Sequence, residues 1–220
     1  MQSKVESQLV DGCRRLARKG FLNDGSDSVS VRIPGTNEML FIGGLEDWRG
    51  IGDAPLAPTP FATAQEAAAL HGSIYLARPD VGAVVISSPA GVRLLAAAGG
   101  VLPTLFDEQV RHIGLPSWTP LAAGPQSKQQ THKAFARGAN AALLDDRLVC
   151  LGMTIERAIH NTDLLEKCAR AYVLAQASGG PVRTLPAWVQ FIANRRLQRD
   201  ERSAEASYAN GQLPEGTTAY

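Results

Sequence analysis

Apolar residues near the N-terminus fall at Val5, Leu9, Val10, Cys13, Leu16 and Ala17, a three-and-four spacing that predicts an amphipathic helix over the first twenty residues, closed by Gly20. The period then changes. Ser28-Val29-Ser30-Val31-Arg32-Ile33 alternates and predicts a strand, and the turn at 34–37 leads to a second strand over 38–42. Residues 43–62 are rich in glycine and proline and read as loop, with Trp48 and Phe61 as anchors. A helix is expected from Thr63 to Ala77, opened by Thr63-Ala64-Gln65-Glu66 as a capping box. Residues 81–87 form a nearly all-apolar run, suited to a strand covered on both faces. Pro89 opens the next helix, through Ala98.

Farther along, residues 114–121 predict a strand and 127–136 a helix. Residues 141–144 and 148–151 flank the charged break Asp145-Asp146-Arg147 and read as a hairpin or an interrupted strand. The clearest helix follows Thr154, with Ile155, Ala158, Ile159, Leu165, Cys168, Ala169, Tyr172 and Val173 on one face and Gly179-Gly180 as its end. A last helix is expected over 186–201, with Trp188, Phe191, Ile192 and Leu197 turned inward, its arginines on a solvated face, and a tail after Tyr208 that is frayed or partner-dependent. This order of elements predicts an α/β fold, a central mixed or antiparallel sheet flanked by helices.

Size and composition narrow the classes. The 220 residues suffice for one core, with 45% apolar and 20% charged residues and a net charge of +1. So balanced a charge points to neither nucleic acid nor an anionic membrane as partner. No apolar run reaches a membrane span, and the polar first residues do not read as a signal peptide. Cys13, Cys150 and Cys168 are widely spaced, which predicts buried reduced thiols and a cytoplasmic location.

Four collinear stretches carry a resemblance. They are Ser30-Val31-Arg32 after the opening helix; His71 through Val81, which reads H-x-x-I-Y-x-x-R-P-D-V; Ala142 through Ala158, with Gly152-Met153-Thr154; and Leu164-Leu165-Glu166 through Arg170. Together they resemble the class II aldolase/adducin family, including fuculose-phosphate aldolase and ribulose-phosphate epimerase-like proteins. The resemblance implies a three-layer fold over 1–184, with 185–220 as a C-terminal helix and tail packing on the same domain or on a neighbouring subunit. It also implies a tetramer with the site between subunits, where a divalent ion held by three histidines stabilises an enediolate.

The corresponding residues depart from that pattern. Two strand-end histidines, whose i and i+2 spacing lets both grip one zinc ion, fall on Ile86 and Ser88. The third falls on Asp146, or on Arg147 with a one-residue deletion. In the first phosphate loop Gly-Asn becomes Asp27-Ser28, and the second reads Gly43-Gly44-Leu45-Glu46, whose glycines could expose N–H groups although Glu46 argues against an anion. Glu66 stands five residues before His71 where the family has four, so it is read either as the acid/base or as part of the capping box.

The candidate catalytic residues are therefore Glu66 and Asp146, and the candidate substrate contacts Ser28, Gly43, Gly44, Ser87, Ser88 and His112, with no metal ligand and no cofactor. Ser87 and Ser88 read either as hydroxyls ending a strand or as the floor of a carbonyl-binding pocket. His112, in a polar cluster between helix and strand, reads as cleft-lining or solvated. Two functions follow. One is an aldolase-like protein without the zinc site, a non-catalytic, partner or regulatory subunit, as a homo-oligomer or with an active paralogue. The other is a metal-independent lyase, decarboxylase or isomerase acting on a small carbonyl or carboxylate ligand.

Overall fold

A computed structural model of the chain describes residues 2–23, 25–44, 48, 51, 55–115, 120–121 and 128–215. Among them, seven strands form one sheet: β1 (Ser28–Arg32), β2 (Glu38–Gly43), β3 (Thr59–Pro60), β4 (Ala83–Ser87), β5 (Pro120–Leu121), β6 (Ala141–Leu144) and β7 (Arg147–Gly152). Their order across the sheet is β3-β2-β1-β4-β7-β6-β5. Only β5 and β6 run parallel; every other neighbouring pair is antiparallel. The mixed sheet expected from the sequence is present.

Alternation along the strands divides the core into two layers. Val29, Val31, Ala83 and Val85 face α1 (Gln2–Arg18), α3 (Ala90–Ala97) and α6 (Ile155–Ala177), where Leu9, Leu95, Ile159 and Leu165 pack. Val84 and Ile86 face the other way, toward Ile74 and Tyr75 of α2 (Ala68–Ala77) and Phe135 beyond α5 (Lys128–Ala134). Helix, sheet and helix make the three-layer arrangement. Trp48 and Phe61 are buried anchors, as the sequence indicates.

Three expectations change. The capping box does not form: α2 begins at Ala68 with no side-chain cap, Thr63 ends a short 3-10 turn, and Glu66 is exposed with φ at 52°. A residue in that left-handed region cannot occupy the third helical position that the box requires. Of the strand over 114–121, Gly114 makes only an isolated bridge to Ala139 and Pro120–Leu121 form β5, while 116–119, like Ser127, lie outside the described residues. The last helix, α7, runs from Ala187 to Ala209, and Trp188, Phe191 and Ile192 are exposed on it. Its inward stripe is Ala193, Leu197, Glu201, Ala204 and Tyr208, in which the two alanines let the helix lie close.

A buried ionic cluster holds α7 down. The Arg78 guanidinium is clasped by Asp80 at 2.8 and 2.7 Å and reaches Glu201 of α7 at 3.0 Å. Glu201 also accepts from Asn140 Nδ2 and from the Gly138 N–H. Arg78 further donates to the carbonyls of Phe135, Ala136 and Ala139, satisfying backbone acceptors in the turn before β6. Nearer the C-terminus, Tyr208 donates to the Met153 carbonyl at 2.8 Å. Gly82 lies beneath that ring, and a Cβ there would sit 1.8 Å from the Tyr208 hydroxyl. The glycine of the G-M-T stretch has a similar cause: a Cβ on Gly152 would come within 2.3 Å of the Ala158 nitrogen. Thr154 caps α6 through the Arg157 N–H, as its sequence position indicates.

Candidate functional site

At one end of the central strands the start of β1 meets the ends of β2 and β4. Ser28 pairs with Gly43 on one side and with Ile86 on the other. The loop before β1 is tied to the end of β4. The fully buried Asp27 carboxylate accepts from the Asn23 N–H at 2.6 Å and from Ser88 Oγ at 2.8 Å. Asn23 Nδ2 donates in turn to the Gly20 and Ser88 carbonyls, and Arg147 Nη1 donates to the Ser26 carbonyl. The structure thus gathers Asp27, Ser28, Gly43, Ile86, Ser88 and Arg147 at this end.

Above it, α2 supplies a buried polar chain. Ser28 Oγ lies 2.9 Å from His71 Nε2, Ser30 Oγ 2.7 Å from His71 Nδ1, and Tyr75 OH 2.8 Å from Ser30 Oγ. Ser28, His71, Ser30 and Tyr75 thus form one continuous buried chain of groups that can each both donate and accept. Burial pulls the His71 pKa down to about 3, and the ring packs edge-on against Phe41.

The three positions that the resemblance assigns to metal ligands do not supply a donor set for zinc. Ile86 has no donor atom and is packed in the core, Ser88 gives its hydroxyl proton to Asp27, and Asp146 stands exposed, paired with Arg93 at 3.4 Å. Asp145, with φ at 57°, forms the tight hairpin turn that carries Asp146 outward. If Arg147 is taken as the third position, it brings a cation. Among the described residues no three His, Cys, Asp or Glu side chains converge as metal ligands.

Anion binding at the neighbouring helix is likewise taken up from within. Glu166 of α6 accepts from the Gly91 and Val92 N–H groups at 2.8–3.1 Å, filling the N-terminus of α3. This is a role the sequence hides in plain view: a carboxylate on the apolar face between Leu165 and Cys168 has no reason to be there unless it is paired. Glu166→Ala is expected to destabilise the fold by about 2 kcal/mol, with Glu166→Gln costing about half, by urea unfolding. Gly43 serves packing, since a Cβ there would lie 2.8 Å from the Ser28 Cβ and 2.6 Å from the Phe41 ring. Gly44 has φ at 73°, which favours glycine, and Glu46 lies outside the described residues.

The remaining candidates are elsewhere. Glu66 sits on its exposed turn. Ser87 shares the face of Ala83 and Val85, away from Ser28, and its buried hydroxyl has no partner. His112 ends α4 (Asp107–His112), bonded to Arg157 and in edge contact with His160 at 4.9 Å; its backbone carbonyl accepts from Asn140 and Asn161. A cleft of about 940 Å³ lies nearby, bordered by Arg157, His160, Asp200 and Ser203.

Residues 50–173 match the class II aldolase and adducin N-terminal domain family. The chain belongs to this family. Among solved aldolase-fold structures, YgbL from Escherichia coli, assigned provisionally as an aldolase/epimerase/decarboxylase, superposes with a TM-score of 0.73 at 17% identity over 88% of this chain and 99% of that one. The L-fuculose 1-phosphate aldolase of Glaciozyma antarctica PI12 gives 0.71 at 19% identity over 95% and 88%. At these identities the likeness is one of fold. In sequence, this class II aldolase relative is 31% identical over 133 residues to the decarboxylase NovR of Streptomyces niveus, covering 58% of this chain and 48% of NovR. It is 30% identical over 133 residues to a 4-hydroxy-3-prenylphenylpyruvate oxygenase/4-hydroxy-3-prenylbenzoate synthase of Streptomyces roseochromogenus, covering 58% and 47%. The chain spans about half the length of these two relatives.

Proposed function

We propose that this chain is an aldolase-fold protein that has lost the zinc site and acts as a non-catalytic partner or regulatory subunit of an oligomer. The observation that carries this reading is the commitment of the strand ends to internal contacts: Ile86 packs in the core, Ser88 is bonded to Asp27, and Asp146 points to solvent. Loss of a Lewis acid at this place would remove the main stabilisation of an enediolate. The assembly is a homo-oligomer, or a hetero-oligomer with an active paralogue, and neither nucleic acid nor a membrane is a partner. No described helix is long and apolar enough to cross a membrane. Three buried free cysteines support a cytoplasmic location, and burial raises the pKa of each, that of Cys150 to about 12.

A second reading has one observation in its favour, the 31% identity to a decarboxylase. In it the remodelled strand end works without metal as a lyase, decarboxylase or isomerase on a small carbonyl or carboxylate. The deciding experiment is elemental mass spectrometry of protein purified without chelator or affinity tag, paired with an assay for L-fuculose 1-phosphate cleavage. The expected result is no stoichiometric zinc, manganese or iron and no cleavage. One metal per chain, lost in Asp146→Ala, would overturn the proposal. Carbon dioxide release from small oxo acids by the metal-free protein would move the assignment to the second reading.

A further inference from the structure

Helix α7 spends its acids on the fold and shows its arginines to solvent. Asp200, Glu201 and Glu205 turn inward and pair with Arg111, Arg78 and Arg137. Arg195, Arg196, Arg199 and Arg202 are all exposed, and no described carboxylate pairs with any of them. One turn earlier on the same outward side stand Trp188, Phe191 and Ile192, at 68, 60 and 47% exposure, with Arg195 over the Phe191 ring. Apolar aromatics next to unpaired arginines are the residue types that dominate binding energy in protein interfaces. Because Glu201, Leu197 and Tyr208 fix the opposite side of the helix, this stripe is held outward, available to another molecule.

A complementary surface lies on a different part of the chain. Between α3 and the β6–β7 hairpin is an open groove of about 790 Å³, with Ala90, Leu94 and Ala97 as apolar floor and Asp145 and Asp146 on its rim. Leu94 is 56% exposed. Arg93 answers Asp146, and no described cation pairs with Asp145. We propose that the outer face of α7 in one copy seats in this groove of a second copy, Trp188 and Phe191 over Leu94 and the Arg195–Arg199 turn opposite Asp145 and Asp146. The contact deepens the homo-oligomer reading above and rests on it. It joins two different patches, so it is head-to-tail and generates a ring when the rotation closes. It also lays a neighbour's arginines beside the hairpin that borders the strand ends.

The test is the mass of the full chain by light scattering across a concentration series, with circular dichroism to verify that each variant is folded. All the substituted residues are exposed on the helix or the hairpin. Trp188→Ser with Phe191→Ser is expected to weaken association at least about 30-fold. Arg195→Glu with Arg199→Glu, and separately Asp145→Lys with Asp146→Lys, should each weaken it. Mixing the two charge-reversed proteins should restore assembly, because each then meets a matching face on the other. A monomeric wild type overturns both the contact and the homo-oligomer reading. An oligomer indifferent to all three variants, or a mixture that fails to reassemble, overturns the contact alone. So does an unchanged mass together with loss of wild-type binding to phosphatidylglycerol vesicles in the Trp188/Phe191 variant, which would assign the stripe to a membrane.

Discussion

Arg78→Met is expected to destabilise the protein by about 4 kcal/mol, the cost of leaving buried charge without its partner. Asp80 and Glu201 are 1% and 0% exposed and both face the guanidinium. Burial alone would lower the Arg78 pKa, but Asp80 and then Glu201 more than offset it and hold it above the ordinary value. Removing the cation strands two carboxylates and three backbone carbonyls together. Glu201→Gln is the milder change, about 1 kcal/mol, because burial, reinforced by Asp80, already pushes the Glu201 carboxyl upward and the amide oxygen can still accept from Arg78 and Asn140. For a chain of this size the difference between the two variants corresponds to a melting shift on the order of 10 °C. Equal melting temperatures for the two would refute this account of the cluster.

The cluster also marks the limit of what the sequence discloses. Local signals were readable: the alternation at 28–33, the apolar run that became β4, Thr154 as a cap, and the collinear motifs that identify the family. The motif residues were readable as types and silent as to purpose. Arg78 meets a carboxylate 123 residues away, on a helix beyond the matched segment. No periodicity reports such a pairing. On α7 the aromatic residues follow helical spacing, but spacing does not say which stripe turns inward, and the small residues Ala193 and Ala204 did so. Glu66 shows the reverse error, a good local pattern overridden by a left-handed turn. At the candidate site, the substitutions at Ile86 and Ser88 were legible by resemblance, whereas the bond from Ser88 to the buried Asp27 needed three dimensions.

Acidification is expected to destabilise the fold well before the carboxylates titrate. His71 is wholly buried and neutral, its pKa held near about 3 by burial. His112 is also held down to about 3, by burial first and then by Arg157, His160 and Arg111. In the unfolded chain both titrate near 6.5. Between those values the unfolded state binds more protons, so stability is fully present above pH 6.5 or so and is lost as the pH falls toward 3, by up to about 1.4 kcal/mol per pH unit for each histidine. Urea midpoints measured from pH 7.5 to 4.5 should therefore decline steadily. His71→Gln keeps a donor and an acceptor and removes one titration, so its decline should be shallower by one proton. A wild-type midpoint flat over that range would show that neither histidine is held neutral.

Among the described residues, the two outermost strands of the sheet, β3 and β5, are two residues long, and each contains a proline, Pro60 and Pro120. A residue without an N–H cannot extend a ladder, and so short an edge offers little template for one. Among the described residues these two strands therefore give strand addition, whether by a like chain, a captured peptide or an amyloid-type stack, little to build on. The contact drawn between α7 and the α3 groove runs instead through side chains on helices, where partner choice is set by shape and charge.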